Sequence, residues 1–456
     1  MTSQADGADE CDLVITGALI VTADEAGTVL PGSVAVQDGR IADLGPDGTI
    51  AARYRAGRAI RADGAVLHPG FVDAHMHINQ YAARSALPAL ERAGKTMGHW
   101  KARITTADEV ASARLAVLDL LRSGHTGFVD PGTVYEPDAV AETASQAGVR
   151  AWLTDPYVAD RGHDLAASHP ELFGGGFLRR WPRTTDEAMA RVGGQLFRNR
   201  EDGLVQGFVG LYGEASDSPE LYRYAAEVAR DNGVTVQEHL GYTQSRYIAE
   251  DKRYGRTPVQ RLADAGLLGE HTSFVHMNRV TAADADLLVR AGASLVWCPY
   301  GQMQALSRPD AEPRMPELWR RGTPVGIGSD IARAGGLDAL GTLAVSASTM
   351  AGDAVRPAEV LRMRGAGAAR TVGARGLGEI RPGHRADLVL RWPAASEALG
   401  ADAALETGVL GACGSVRTVI VDGAVVFEDG RPTRFDAADA VRHARASVRR
   451  LLESIG

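Results

Sequence analysis

Cysteine, lysine and long apolar runs are what this 456-residue chain has least of. Cys11, Cys298 and Cys413 are few and scattered, so neither a disulfide framework nor a zinc ribbon is implied. The only lysines are Lys95, Lys101 and Lys252, and no basic run occurs anywhere. With a net charge of −8 and both signs interspersed, the chain has no electrostatic footprint for nucleic acid. No apolar stretch reaches membrane-spanning length, and Met1 to Glu10 is polar and acidic, unlike a signal peptide. These absences lead to the expectation of a cytoplasmic protein without nucleic-acid or membrane partners. No fixed-period repeat or low-complexity tract is present, and the length allows a large core with an accessory domain.

Against that background one stretch stands out, Leu67-His68-Pro69-Gly70-Phe71-Val72-Asp73-Ala74-His75-Met76-His77. Residues 71–77 read as a buried strand after a Pro-Gly turn. Alternation along a strand puts His75 and His77 on one face, where two imidazoles can share a divalent ion. Short apolar runs follow at 126–129, 149–153, 204–211, 234–240, 272–276, 293–297 and 325–327, separated by helical patterns. Among those helices, one is expected at 107–123 ending on Gly124, and one at 219–231 with Ser218 as its cap. Eight strands in a βαβα rhythm imply a parallel α/β barrel over residues 68–375. Residues 160–197 read as a long excursion around its mouth. The flanking regions, 1–67 and 376–456, differ in character, with short strands joined by Asp38-Gly39 and Asp422-Gly423 turns. They suggest one small β-sandwich built from both chain ends, with a terminal helix.

The segment Pro69 to His77 resembles the opening motif of the amidohydrolase superfamily, in its cytosine deaminase, guanine deaminase and triazine hydrolase branch. The resemblance runs from about Asp12 to the last helix, and Ile380 to Leu388 resembles the family's return into the sandwich. It implies a metal-dependent hydrolase on a (β/α)8 barrel. Residue by residue it points to His75, His77, His239 and Asp330 as metal ligands and to His276 beside them. Each of these lies at the C-terminal end of a proposed strand, the end that carries the chemistry in such barrels. His99, His169 and His443 are expected to be structural.

Neutral imidazoles leave an ion its positive charge, and a bound ion lowers the pKa of water to about 7. Asp330 can accept the proton of that water, and His276 can orient it or polarise the leaving group. Relatives with two metals bridge them through a carbamylated lysine; none of the three lysines here falls on a proposed strand, so one ion is expected. Zinc suits the mixed His/Asp set, and iron or manganese would accept it.

One departure matters. The branch usually reads His-x-x-Glu after the fifth strand, the glutamate shuttling protons to a ring nitrogen. Here the run is His239-Leu240-Gly241-Tyr242, and a phenol of pKa ~10 is a poor shuttle near neutrality. Glu214 is the candidate substitute; Glu238 should point away from the cavity. The pocket wall is expected to draw on Gln80, Trp100, Tyr157, Tyr242, Asn278 and Gln302. The expected function is hydrolysis of a C–N bond in a small amine or amide, heterocyclic or not. Alternatives are action on a cyclic amide, removal of a non-amine ring substituent such as chloride, or a non-catalytic ligand-binding relative. The expected partners are a small-molecule substrate and, as a homo-oligomer, further copies of the chain.

Overall fold

Two kinds of strand divide the protein, whose computed structural model describes residues 8–168, 177–213, 216–242, 244–331, 336–393 and 415–456. Strands of the first kind follow one another largely as hairpins. They are β1 (Asp9–Val21), β2 (Val29–Gln37), β3 (Arg40–Gly45), β4 (Tyr54–Arg61) and β5 (Val66–Pro69). Asp38 and Gly39 both take positive φ, 50° and 71°, and so form the tight turn that joins β2 to β3. Strands of the second kind are parallel and mostly buried. Of these, β6 (Phe71–Asp73), β7 (His125–Val129), β8 (Arg150–Leu153) and β9 (Val205–Gly207) form one sheet. β10 (Val209–Gly213), β11 (Val236–Leu240), β12 (Thr272–His276), β13 (Ser294–Trp297) and β14 (Val325–Ile327) form the other. The first kind then returns in β15 (Leu388–Arg391), β16 (Val416–Val421), β17 (Ala424–Glu428) and β18 (Arg431–Pro432).

The strands of both chain ends make a single nine-stranded sheet, in which β5 and β15 pair antiparallel where the halves meet. β4 and β5 are not among the strands expected from the sequence. Arginine-rich β4 pairs only with β1, in parallel, and leaves much of its length half-buried or exposed, so it lacks the apolar alternation of an internal strand.

Two further corrections concern the parallel strands. The expected strand 204–211 is broken at Phe208: its amide donates to Leu153 O (3.1 Å) on one side, and Val209 N donates to Thr235 O (3.2 Å) on the other. The expected strand 71–77 ends at Asp73, and the segment beyond it pairs with the segment beyond β14. Ala74 N donates to Ile327 O (3.1 Å), and Met76 bridges Asp330 in parallel. The result is a TIM-barrel-like α/β fold, with hydrogen bonds linking the two parallel sheets at both junctions.

The helices form for local reasons. Helix Thr106–Arg122 starts on a capping box of Thr105 and Asp108, and helix Pro219–Asp231 on Ser218, whose hydroxyl accepts from Leu221 N. Within the described part of 160–197, helices are short (Gly162–Ser168, Phe177–Arg180, Thr185–Met189, Leu196–Arg198), and Trp181 is buried. The terminal helix Ala437–Ile455 packs on Thr106–Arg122, where Ser447 Oγ donates to Asp108 Oδ1 (2.6 Å). A buried fork fastens the two kinds of sheet together: Arg150 donates to both oxygens of Asp387 (2.9 and 2.8 Å) and to Asp422. No helix among the described residues is long and apolar enough to cross a membrane.

Candidate metal centre

Three backbone devices bring the ligand-type side chains together. Met76 N donates to Val129 O (2.8 Å), His77 N to Asp330 O (3.1 Å) and Asp330 N to His75 O (2.8 Å), so the chain after β6 is laced to the end of β7 on one side and to the chain after β14 on the other. Buried Asp73 seals the same junction: Oδ1 accepts from His75 N (3.2 Å) and Ser329 N (2.9 Å). Burial pushes this carboxyl up to about 6, the bonds from Ser329 opposing it. Gly328 is required by the close approach, since a Cβ there would lie 2.8 Å from His75 Cβ. Gly213 is required on the far side, with φ +75° and a hypothetical Cβ 2.2 Å from His239 O.

The imidazoles of His75, His77 and His239 are buried and converge, their ligating nitrogens all within 4.8 Å of one another. His239 Nδ1 donates to Tyr212 O (2.7 Å), and His75 Nδ1 donates to Gln237 Oε1 (3.4 Å). His77 Nδ1 donates to Thr133 Oγ1 (3.0 Å), whose hydroxyl donates onward to Asp130 Oδ2 (3.4 Å). In each case Nδ1 holds the proton and Nε2 is left with a lone pair. The Nε2 atoms of His75 and His77 are 3.3 Å apart, and Asp330 Oδ1 lies 3.1 Å from His77 Nε2. Ligands about 2.0–2.1 Å from a tetrahedral zinc stand about 3.3 Å from each other. Two lone pairs aimed at each other at that distance repel unless a cation lies between them, so the donor set fits a divalent ion. Burial first, and the neighbouring imidazoles second, hold His75 and His77 well below the usual histidine range. His239 is lowered by burial too, so all three stay neutral and able to ligate.

Backbone strain marks the same rim. Asp330 has φ +57°, and His276 and Met277 have φ +80° and +43°, left-handed values that cost non-glycine residues of order 1–3 kcal/mol each. The turn at His276 sets its ring 5.5 Å from that of His239 and 4.7 Å from that of Tyr242. Burial drives His276 down to about 3, and its Nδ1 has no hydrogen-bond partner among the described residues.

Of the expected wall residues, Tyr242 stands beside His276 and is 44% exposed. Asn278 is buried with neither amide atom bonded, and Gln80 is buried with its amide nitrogen unbonded among the described residues. Gln302 turns its amide toward Ala347 O (3.4 Å), and Trp100 is buried in an apolar cluster with Leu451 of the terminal helix. Tyr157 belongs to a wall of rings: Tyr212 lies 5.6 Å from His239, Trp181 4.6 Å from Tyr212, and Tyr157 5.3 Å from Trp181. Glu214 lies outside the described residues. Glu238 is buried near Tyr222 of helix Pro219–Asp231.

Sequence reasoning missed the residues that hold the histidines. Thr133 and Asp130 sit in Asp130-Pro131-Gly132-Thr133, where Asp130 Oδ1 accepts from Gly132 N and Thr133 N. An Asp-Pro-Gly turn is a signal that could have pointed to them. Lys101, on helix Met97–Arg103, lies off the strands as expected, yet it is buried and pushed down to about 8. Burial is the cause, opposed by Asp330 and Asp130.

A family model, described as the amidohydrolase family, matches residues 66–426. The chain belongs to the amidohydrolase family. It is 30% identical over 395 residues to a 5-methylthioadenosine/S-adenosylhomocysteine deaminase of Syntrophobacter fumaroxidans, covering 84% of this chain and 85% of that one. It is 26% identical over 461 residues to a 5'-deoxyadenosine deaminase of Methanosarcina mazei, covering 97% and 99%. Among solved structures, an adenosine deaminase from Xanthomonas campestris with bound zinc superposes with a TM-score of 0.85 at 24% identity, covering 97% and 99%. The atrazine chlorohydrolase of Arthrobacter aurescens, complexed with zinc, gives 0.78 at 21% identity, covering 96% and 100%. As an amidohydrolase the protein is a metal-dependent hydrolase that acts on C–N bonds other than peptide bonds, and it uses a divalent metal.

Proposed function

We propose that this amidohydrolase removes the amino group of a small heterocyclic amine, with one zinc ion held by His75, His77, His239 and Asp330. The observation that carries the reading is the set of three buried imidazoles, each anchored at Nδ1, whose Nε2 atoms converge beside Asp330. The ion supplies concentrated positive charge that acidifies water near neutrality. Asp330 then accepts the proton of the attacking water and passes it toward the departing nitrogen. Neutral His276, its ring 5.5 Å from that of His239, orients the reacting groups. Glu214 is the carboxylate we assign as the alternative to Asp330 in the proton path. Tyr242, Asn278 and Gln80 bind the substrate, Trp100, Tyr157 and Gln302 shaping the pocket around it. The deaminase names of the relatives support an amine leaving group.

The same reading takes the two parallel sheets as one closed (β/α)8 barrel over residues 68–375. It takes the nine-stranded sheet as a small sandwich from 1–67 and 376–456. Hydrogen bonds at Ala74 and Phe208 support the closure.

The test is ammonia release by the metal-loaded protein over aminopurines, aminopyrimidines and aminotriazines. Release from at least one class is expected, and none from any would overturn the reading. A second reading, hydrolysis of a cyclic amide or of a non-amine ring substituent, is favoured by Tyr242 in the place of a carboxylate. Turnover confined to lactams or chlorotriazines would select it.

A further inference from the structure

Glu109 is buried to 1% exposure, yet it neither ligates the ion nor meets the substrate in the proposed reaction. It stands in the first turn of helix Thr106–Arg122, where a glutamate ordinarily points into water. Burial pushes its carboxyl up to about 7, with hydrogen bonds opposing the shift. Its three hydrogen-bond partners are N–H donors: Oε1 accepts from Asn79 Nδ2 (3.1 Å) and Tyr135 N (2.8 Å), and Oε2 accepts from Glu136 N (3.0 Å). Asn79 Nδ2 also donates to Thr133 O, so this amide joins the carboxylate to the loop that holds His77.

The three ligand-type histidines are anchored unequally. Tyr212, which accepts from His239, lies in β10, and Gln237, which accepts from His75, lies in β11. The pairing of those two strands fixes both anchors. Thr133, which accepts from His77, lies in neither strand nor helix, between β7 and helix Pro137–Ala147. Asp130 closes that loop from within, accepting from Gly132 N and Thr133 N. Glu109 reaches it from the neighbouring helix and holds two successive amides, those of Tyr135 and Glu136. An apolar side chain would fill the same space without the cost of burying a carboxylate. It would not fix direction, however: an ionised carboxylate only accepts, and three donors aimed at it set the loop against residues 77–79.

We propose that Glu109 is a positioning residue of the metal centre: it braces loop 130–136 so that Thr133 holds the His77 ring in its ligating orientation. The proposal rests on the reading of His77 as a ligand, and its test separates the two. Zinc affinity is measured at pH 8, where the carboxyl is ionised, by competition with a chelating dye. The proteins compared are the unmodified chain, Glu109→Gln, Thr133→Val and the two changes combined, with urea unfolding of the metal-free forms followed in parallel. The glutamine keeps the shape but turns an N–H group on one of the three donors. Zinc should then bind about tenfold more weakly, the lower end of what the outer partners of a ligand contribute. Thr133→Val should weaken zinc at least as much, and the combined variant no further, because both changes act through one contact. A Glu109→Gln protein that loses stability but keeps its zinc affinity overturns the proposal, since a merely structural glutamate would behave that way. Additive losses in the combined variant overturn it too. If Glu109→Gln does not fold, Asn79→Ala decides: it cuts the link to Thr133 O, leaves the carboxylate its two backbone donors, and should weaken zinc in the same direction. Unchanged affinity there also overturns the proposal. Retention of zinc by His77→Ala overturns the ligand reading instead.

Discussion

His68, within β5, and His75, just beyond β6, stand seven residues apart, equally buried and both held well below the usual histidine range by burial. Their surroundings differ in one respect. Both nitrogens of His68 are engaged: Nδ1 donates to Pro69 O (2.8 Å) and Nε2 accepts from Arg391 Nε (2.8 Å). His125, nearby, bonds Ser123 Oγ and turns its ring edge to Phe71. His75, His77 and His239 instead have Nδ1 held by the protein and Nε2 aimed at one another. Burial and a lowered pKa therefore do not distinguish a structural histidine from a ligand. What distinguishes them is whether the second nitrogen has a protein partner or an empty point shared with its neighbours.

The sharpest way to break this contrast is to remove one histidine from each end. His77→Ala should lose most of the bound metal and with it essentially all turnover, because the remaining ligands bind much more weakly. Elemental analysis should give close to one equivalent for the unmodified protein, and full occupancy in the variant would refute the ligand assignment. Asp330→Asn comes next in size. Its amide still offers an oxygen but accepts no proton, so kcat should fall by about 10²–10⁴-fold while much of the metal remains. A loss below about tenfold would move the proton to His276 or Glu214.

At the other end, His68→Ala should leave the metal content unchanged and cost stability. The substitution leaves the buried Arg391 Nε without its acceptor and opens a hole against Phe71, on which the His68 ring stacks at 4.7 Å. Arg391 would keep Ser415 Oγ and Ser123 O, so a partial loss of about 2–4 kcal/mol is expected in urea unfolding of the metal-loaded protein. Metal loss without destabilisation would mean that the two ends are not separate in role.

Much of this was legible in the sequence because the parallel strands are short apolar runs closed by glycine and capped helices. β12, β14 and helix Pro219–Asp231 fall where they were expected. The five ligand-type residues stood at strand ends, where position along the chain already implies position in space. β4 was not legible, because arginine hides the alternation of an edge strand. Asp73, Gln237 and the burial of Lys101 were not legible either, for a different reason. Their roles depend on contacts between segments far apart in sequence, such as Gln237 with His75, and no local pattern encodes those. Lys101 was doubly hidden, since a lysine on a short helix ordinarily faces water.

Tyr242 sharpens the comparison by the smallest step, since it repeats at the rim what Phe71 does at the base. Phe71 lies 4.7 Å from the His68 ring and is fully buried; Tyr242 lies 4.7 Å from the His276 ring and is 44% exposed. An aromatic ring packed on a histidine for stability belongs inside, whereas one left open beside an unbonded histidine nitrogen is placed to meet a ligand. Tyr242→Phe keeps the ring and removes the hydroxyl, so kcat/KM should fall only about two- to fivefold, the worth of one neutral hydrogen bond. Tyr242→Glu should not improve the native reaction, because the site would gain an acid that its substrate does not use. Adenosine, cytosine and guanine, whose deamination calls for a carboxylic acid at the ring nitrogen, should be turned over slowly by the unmodified protein even though relatives carry deaminase names. Ammonia released from any of the three at a kcat/KM of ~10⁴ M⁻¹s⁻¹ or more would show that another residue supplies the proton, Glu214 first. Tyr242 would then be packing on His276 much as Phe71 packs on His68.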